Sequence, residues 1–580
     1  MNTITTVESI AELTAIQSPI DGQTVYVKSY HAGLGKGGGE FSYVSSRASE
    51  NDNGIVINGW VRFNSDVVSP EMFGAKANDL SFDNTDVLNN AFATGADIHS
   101  TPEQTYYVTK NLRTKGQKLR GGWKIHSKKL TSRKGVWEEI VKVNDDGLDV
   151  SNNIQMMYVS SAWDLSEFLA IKNLGYNMIH HYVGMSQIGW DLDGNVFDVL
   201  NNAMSAGLKI SLGIEQAPEA INNLDAWIGS VDSYPALWAY SVIDEPVSRG
   251  FSIEQQDEKI SKMRSLTKKT LFTVDWMSNA FEQKYSKNYD LVLVNSYSMK
   301  YSGDSSTWFD KDLSKFRKDY GIIKSQIGSS VKIIPCLSMF TFSTSSNFFS
   351  DNLEQIVKGS EYFSKVSNAD YASFVWDGEA DASITGSVRD TLEFRKLSIR
   401  ISKQPKLNLK TAVLKFGGVS TVQSDWGISE IVNHVLNRDP YSTDIFAGNA
   451  AYPIVLRKGD IDSDRTIIDR QTNDTVSGIG FKTSSGRIVT DITAPKNLRI
   501  VLEAFSPTNV IAGDFTIFTT KDGGYTYTDR FDVGVNDNTL IDYNIPLDSS
   551  YGTLIFQLND SNNPLFYRNF LRGVIILADW

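Results

Sequence analysis

The sequence predicts a multidomain chain built around a central (β/α)8 TIM barrel, with small β-rich N-terminal modules before it and a C-terminal antiparallel β-sandwich after it. Three observations carry this reading. Between residues 151 and 404, apolar runs of strand length alternate with amphipathic segments of helix length, the pattern of a parallel sheet buried on both faces. Eight such units in about 250 residues match a closed barrel; a doubly wound open sheet is the alternative. Before residue 66 and after residue 404 the helical period fades, and short strands separated by Gly, Asn, Asp and Pro clusters take its place. A length of 580 residues allows roughly four domains. They are drawn at 1–65, 66–150, 151–404 and 405–580.

Composition narrows the class. Hydrophobic residues at 41% and charged residues at 21% are ordinary for a globular chain with sizeable cores. With 56 basic against 68 acidic residues the net charge is −12, which repels nucleic acid and anionic membrane. The single cysteine, Cys336, excludes a disulfide framework and a Cys-rich zinc site. The first residues lack a basic leader with an apolar core, and no run of 18 apolar residues occurs. The expectation is a soluble protein made in a cytoplasm, with no membrane insertion.

The first module reads as short alternating strands, Thr24–Ser29 and Glu40–Val44, joined through His31-Ala-Gly-Leu-Gly-Lys-Gly-Gly-Gly39. That loop spells G-x-G-x-x-G at Gly33, Gly35 and Gly38. A dinucleotide site needs a helix N-terminus after the glycines to hold the pyrophosphate. A strand follows here, so the glycines are read as a flexible hairpin tip.

Asp21–Ser46, followed by Gly59–Phe63, resembles the N-terminal module of bacteriophage tailspikes and tail fibres. Val68–Lys76 (VSPEMFGAK), Asp83-Asn-Thr-Asp86 and Thr105-Tyr-Tyr-Val108 resemble the passage that opens the β-helix of many tailspikes. In that family the segment Asp86–Gly95 would form a helix capping the β-helix end. The resemblance covers roughly the first 150 residues. It implies a virion protein, attached through its N-terminus to a tail or baseplate protein, that binds a bacterial surface glycan, usually as a homotrimer. The departure from the family is that no run of short β-helix rungs follows.

The eight barrel strands are expected to begin near Ile154, Tyr176, Leu208, Leu237, Thr270, Tyr289, Val331 and Tyr371. In such a barrel the active site lies at the C-terminal ends of the strands. Polar residues just past the apolar runs are Ser160, Ser161 and Asp164; His180, His181 and Tyr182; Glu215 and Gln216; Asp244 and Glu245. The second half adds Asp275 and Trp276; Asn295 and Tyr297; Ser338; and Trp376, Asp377 and Glu379. Paired carboxylates suit glycoside hydrolysis, one protonating the leaving oxygen and the other activating water or attacking the sugar. Aromatic faces suit the apolar faces of sugars.

Trp238–Pro246 (WAYSVIDEP), which ends the fourth strand, resembles the Asn-Glu-Pro signature of the large barrel-fold glycosidase clan. The resemblance makes Glu245 the general acid/base, with Asp244 in place of the Asn that binds a sugar hydroxyl. Tyr297 and Trp376 match further positions typical of that clan. The clan's nucleophile, a Glu ending the seventh strand, has no counterpart in Pro335-Cys-Leu-Ser-Met-Phe340. A second carboxylate must then come from Asp275, Glu215 or Glu379, in that order of preference, or an N-acetyl group of the substrate must assist. Substrate contacts are assigned to Asp244, His180, Tyr182, Trp276, Asn295, Tyr297, Trp376, Asp377 and Glu379. No metal and no cofactor is called for.

Other constellations fall short. Gly303-Asp-Ser305 could suggest an esterase, but the later His434 lacks an Asp at the required spacing. His180 and His181 point to opposite faces of a strand and cannot jointly chelate one metal. Asp460-x-Asp462-x-Asp464 starts like a calcium loop, but Arg465 stands where Gly is needed and Gln471 where Glu is needed. Lys110 to Lys134 holds ten basic residues and no acidic one, read as a contact with an acidic partner rather than nucleic acid. The expected function is endo-acting hydrolysis of a capsule or O-antigen polysaccharide by a phage tailspike at the bacterial surface. A non-catalytic glycan-binding protein and a polysaccharide lyase are the rivals. The absence of Arg from the strand ends counts against the lyase.

Overall fold

The computed structural model describes residues 5–130, 136–144, 147–149, 151, 153–182, 194–215, 223–275, 284–296, 331–342, 353, 356, 357, 360, 364, 370–378 and 383–403. Beyond these it describes the strand segments between 409 and 579. The chain opens with a five-stranded sheet in the order Thr5–Ser9, Thr24–Ser29, Gly37–Tyr43, Trp60–Arg62, Val56–Ile57. Val25, Val27, Phe41, Ile57 and Trp60 form its core against Ile10 and Leu13 of a short helix. Alternation explains this: Val25 and Val27 are buried while Tyr26 and Lys28, which alternate with them, are exposed.

The glycine-rich stretch divides in two. Gly33 and Gly35 have positive φ and open space around them, as a hairpin tip requires. Gly37 and Gly38 belong instead to a packed strand, where an added Cβ would lie 1.9 Å from the Glu71 carbonyl oxygen and 2.3 Å from that of Val27. The hairpin-tip reading therefore holds for the first half only. In the second half close backbone approach, not flexibility, calls for glycine.

Residues 67–130 form a short stacked coil. Asp97–His99 lies parallel to Leu119–Arg120, and Thr105–Val108 lies parallel to Lys124–Leu130. Two successive turns of chain thus lie one on the other before Val136–Lys142 closes the coil as an antiparallel edge. Leu88, Ala91 and Phe92 of the helix Thr85–Ala93 are buried in the same core. Val67–Val68 adds a third parallel strand beside Asp97–His99, and among the described residues the stack goes no further, short of the run of rungs that makes a β-helix.

The central strands close into a barrel: Gln155–Val159, Met178–His181, Lys209–Gly213, Leu237–Asp244, Thr270–Asp275, Leu291–Ser296, Lys332–Ser338 and Tyr371–Phe374. Every neighbouring pair is parallel, and the eighth strand pairs back onto the first. Helices between them start where capping residues demand. Asn195 accepts from the backbone N–H groups of Phe197 (2.9 Å) and Asp198 (3.1 Å) at the start of Val196–Ser205, and Ser252 opens Ile253–Leu266 with a capping box completed by Gln255. Gly207 ends the former helix at φ 72°, where a Cβ would meet the Gly147 carbonyl oxygen at 2.4 Å.

Beyond the barrel, the described strands form two antiparallel sheets. Phe570–Asp579 lies centrally in one of them, between Leu409–Lys415 and Lys496–Phe505. The apolar C-terminal run is thus an interior strand of its sheet.

Candidate active site

Register decides what the mouth of the barrel displays. Tyr158, His180 and Ser211 are successive ladder partners and project inward. His180 packs against the rings of Tyr158, Tyr182 and Phe272 at centroid distances of 4.7, 5.3 and 5.3 Å, and its Nδ1 is 2.9 Å from Ser211 Oγ. Only 2% of His180 is exposed, and burial, with His181 beside it, pushes its pKa down to about 3. His180, expected to touch substrate, is thus a neutral residue buried beneath the mouth. His181 faces outward and donates Nε2–H to the Ala162 carbonyl at 3.0 Å.

The fourth strand carries the decisive irregularity. Its register with the fifth shifts between Ser241 and Ile243: Ser241 pairs with Phe272, Ile243 with Thr273 and Asp244 with Val274. This is a β-bulge at Val242, and such a bulge re-aims every residue after it. Counted from Ser241, simple alternation would turn Asp244 outward. With the bulge it shares the inward face of Phe272, whose ring lies on His180. Asn295 reaches the same face of the sixth strand through Val274↔Leu293 and Asn295↔Cys336.

Glu245 follows with φ 48°, a left-handed conformation that costs a non-glycine residue about 1–3 kcal/mol and clusters at functional sites. Its N–H donates to the Val274 carbonyl at 2.8 Å. Asn295 Nδ2 donates to Glu245 Oε1 at 3.1 Å. Asn295 is 2% exposed, and its Oδ1 is buried without a hydrogen-bond partner.

Asp275 and Glu215 surround this pair but are already engaged. Asp275 is buried and accepts from the Val247 N–H (2.5 Å) and Ser248 Oγ (2.7 Å). Both oxygens of this expected second carboxylate thus fasten the loop that presents Glu245. Glu215 Oε2 accepts from the Asp244 N–H at 2.9 Å and Arg249 Nη1 at 2.6 Å. Arg249 also donates to the Asp244 carbonyl at 2.9 Å. A survey of strand ends missed this arginine because it returns to the mouth four residues later, on a turn closed by its own N–H to the Glu245 carbonyl at 3.0 Å. Arg249 thus supplies at the mouth a guanidinium that the strand ends themselves lack.

The Asp244 carboxyl stands apart. Glu215 and Arg249 take its backbone groups, and no hydrogen bond to its side chain occurs among the described residues. Burial first, then the charges of Glu245 and Glu215, push its pKa up to about 7. Tyr182, half-buried beside it, is raised well above the usual phenol value by burial and then by the Asp244 charge.

The opposite wall differs. Asp377 is fully buried and accepts from Ser160 Oγ, the Ser161 N–H at 3.2 Å and the Ala162 N–H at 3.1 Å. Trp376 is 0% exposed. Both were expected to touch sugar; here they clamp the end of the first strand, and no ring face is open at Trp376. Arg389 and Glu167 form a buried ion pair at 3.0 Å nearby. The seventh strand ends at Ser338, which is buried together with Met339 and Phe340 after it. Trp276, Tyr297 and Glu379 lie outside the described residues, as do the Gly303–Ser305 and Asp460–Asp464 motifs.

Four of the ten basic residues of the stretch Lys110 to Lys134 meet carboxylates within the chain. Lys110 meets Asp86 (3.7 Å), Arg113 meets Asp198 (3.5 Å), Arg120 meets Asp97 (3.3 Å) and Lys128 meets Glu138 (3.8 Å). Among the described residues there is no cluster of three or more His, Cys, Asp or Glu arranged to hold a metal, and no helix long and apolar enough to cross a membrane.

Residues 6–66 match the family described as the phage tail protein small four-stranded beta-sheet domain. Among solved structures, the chain is similar to a glycoside hydrolase family 5 protein from Bacteroides vulgatus, at 11% identity and TM-score 0.31, covering 73% of this chain and 95% of that one. A β-glucanase from Saccharophagus degradans, in complex with cellotetraose, matches at 13% identity and TM-score 0.31 over 46% of this chain and 92% of that one. The gp42 tailspike of Acinetobacter phage vb_AbaP_AS12 matches at 14% identity and TM-score 0.21, over 51% of this chain and 48% of that one. The N-terminal sheet thus matches a phage tail domain, on a chain whose middle is a (β/α)8 barrel.

Proposed function

We propose that this protein is a phage tailspike that hydrolyses a bacterial surface polysaccharide, capsule or O-antigen, at the mouth of its barrel. The observation that carries the reading is the pair Asp244 and Glu245, turned to the C-terminal end of the barrel by a bulge and a left-handed residue. Bulges and backbone strain persist where the surrounding structure enforces them, and here Asp275 and Asn295 supply that enforcement. Two carboxyl groups in different environments at one mouth suit acid/base cleavage of a glycosidic bond. The phage tail domain at residues 6–66 supports delivery to a cell surface, with virion attachment through that domain and assembly as a homotrimer.

A binding-only reading has one specific observation in its favour: the buried end Ser338-Met339-Phe340 offers no carboxylate on the seventh strand. The two readings separate on purified chain incubated with a panel of capsules and O-antigens. Reducing-end release is measured for the wild type and for Glu245→Gln, with ultraviolet absorbance followed for unsaturated sugars. Hydrolysis predicts reducing ends from the wild type alone. Binding to one polysaccharide without product would leave a receptor-binding protein, and ultraviolet-absorbing product would make it a lyase.

A further inference from the structure

We propose that Asp244, not Glu245, carries the proton at this mouth and delivers it to the leaving oxygen, with Glu245 as its ionised partner. This rests on the hydrolytic reading above and reverses the roles that the Asn-Glu-Pro resemblance implies. The first ground is aim. The bulge at Val242 places Asp244 on the inward face, so the carboxyl stands within the mouth rather than among the helices. The second is the division of hydrogen bonds. Glu245 accepts an amide N–H from Asn295, which favours an ionised carboxylate. The Asp244 side chain accepts none among the described residues, because Glu215 and Arg249 take its backbone groups. A half-buried carboxyl without a donor has little to stabilise its charge.

The third ground is charge. Among the described residues, the titratable groups facing Asp244 are Glu245 and Arg249 on its own loop, Glu215 from the third strand and Asp275 from the fifth. Tyr182 lies beside it from the second strand and interacts with Cys336 on the seventh. Three carboxylates outweigh one guanidinium, and its raised pKa follows with burial as the larger cause. The amide of Asn295 retains an unpartnered buried Oδ1, an acceptor available to a sugar hydroxyl. In the reaction, the O–H bond of Asp244 breaks as its proton passes to the glycosidic oxygen. The bond from that oxygen to the anomeric carbon then breaks, with the electron pair leaving on the new hydroxyl. Water oxygen bonds to the anomeric carbon, and the proton it loses passes through Glu245 back to Asp244. One glycosidic bond and one water become two hydroxyl-bearing ends.

Asp244→Asn makes a sharp test because it restores the Asn-Glu-Pro sequence of the glycosidase clan. If Glu245 is the acid/base, as in that clan, turnover is kept or raised. If Asp244 is the donor, turnover on the polysaccharide the wild type cleaves falls at least 100-fold at pH 6, with melting unimpaired, and Asp244→Glu recovers part of it. The wild-type rate falls as pH rises through the neighbourhood of 7. A second readout needs no substrate: pH-difference infrared spectra of the full chain should show a protonated carboxyl C=O band lost between pH 6 and 8, absent from Asp244→Asn. Turnover of Asp244→Asn within tenfold of wild type, or the same band persisting in that variant, overturns the proposal. If no polysaccharide in the panel is cleaved, the hydrolytic reading fails, and the infrared band still decides where the proton resides.

Discussion

The two walls of the barrel mouth carry similar residues and use them in opposite ways. Around the first, second and eighth strands, Asp377, His181, Glu167 and Arg389 are buried, and Asp377 spends its oxygens on Ser160, Ser161 and Ala162. The adjoining helices also hold the N-terminal coil. Asp164 Oδ2 accepts the Leu112 N–H, Asn202 Oδ1 accepts the Thr114 N–H at 2.9 Å, and Arg113 lies 4.8 Å from the Trp163 ring. This wall is a mount. Around the third to sixth strands the carboxyls of Asp275 and Glu215 brace a loop, leaving Asp244 and Glu245 at the mouth. Carboxylates at strand ends are therefore not interchangeable, and their hydrogen-bond partners separate support from chemistry.

This contrast can be broken by substitution. The largest effect is expected at Glu245: Glu245→Gln should lower turnover by 10²- to 10⁴-fold, the usual worth of a positioned acid or base, with melting temperature unchanged. Asp377→Ala should do the reverse, costing about 3–5 kcal/mol of stability by opening a buried charged network, read by denaturant titration. The activity per folded molecule of that variant should stay near wild type.

Asp275→Asn should fall between the walls. The loop keeps its fold, but Glu245 loses its fixed position, so kcat drops by about ten- to a hundredfold while KM moves little. Larger losses of stability than of kcat would move Asp275 to the mounting side. The smallest effect is expected from Arg249→Gln, because its ion pair with Glu215 is half-exposed and such pairs contribute about 1 kcal/mol or less.

Asp244 supplies a pH test with a definite sign. Its folded-state pKa is raised, so between about 4 and about 7 the folded chain binds more protons than the unfolded one. Wild-type stability therefore declines as pH rises through that window. Asp244→Asn lacks this decline and should melt higher than wild type at pH 8 but not at pH 4, as differential scanning calorimetry can show.

Much of the fold was legible because its signals are periodic. Eight apolar runs gave eight strands, and the capping residues Asn195 and Ser252 stand where their helices begin. The site was legible only in outline. Strand ends can be read from apolar runs, but the bulge at Val242 is a tertiary fact, and without it Asp244 faces the wrong way. Trp376, Asp377 and His180 share the chemistry of sugar contacts, and nothing in their identity shows that they are buried. Arg249 reaches the mouth through a turn after the strand end, outside any rule based on strand termini. The coil at 97–130 was hidden because one repeat gives no period to recognise.

The most direct test of the central claim crosses the two walls on one polysaccharide. Wild type, Glu245→Gln and Asp377→Ala are compared for reducing-end release and for unfolding midpoint in the same buffer. The account predicts that Glu245→Gln keeps the wild-type midpoint and releases no reducing ends, while Asp377→Ala unfolds earlier and still cleaves. Cleavage by Glu245→Gln at the wild-type rate would contradict it.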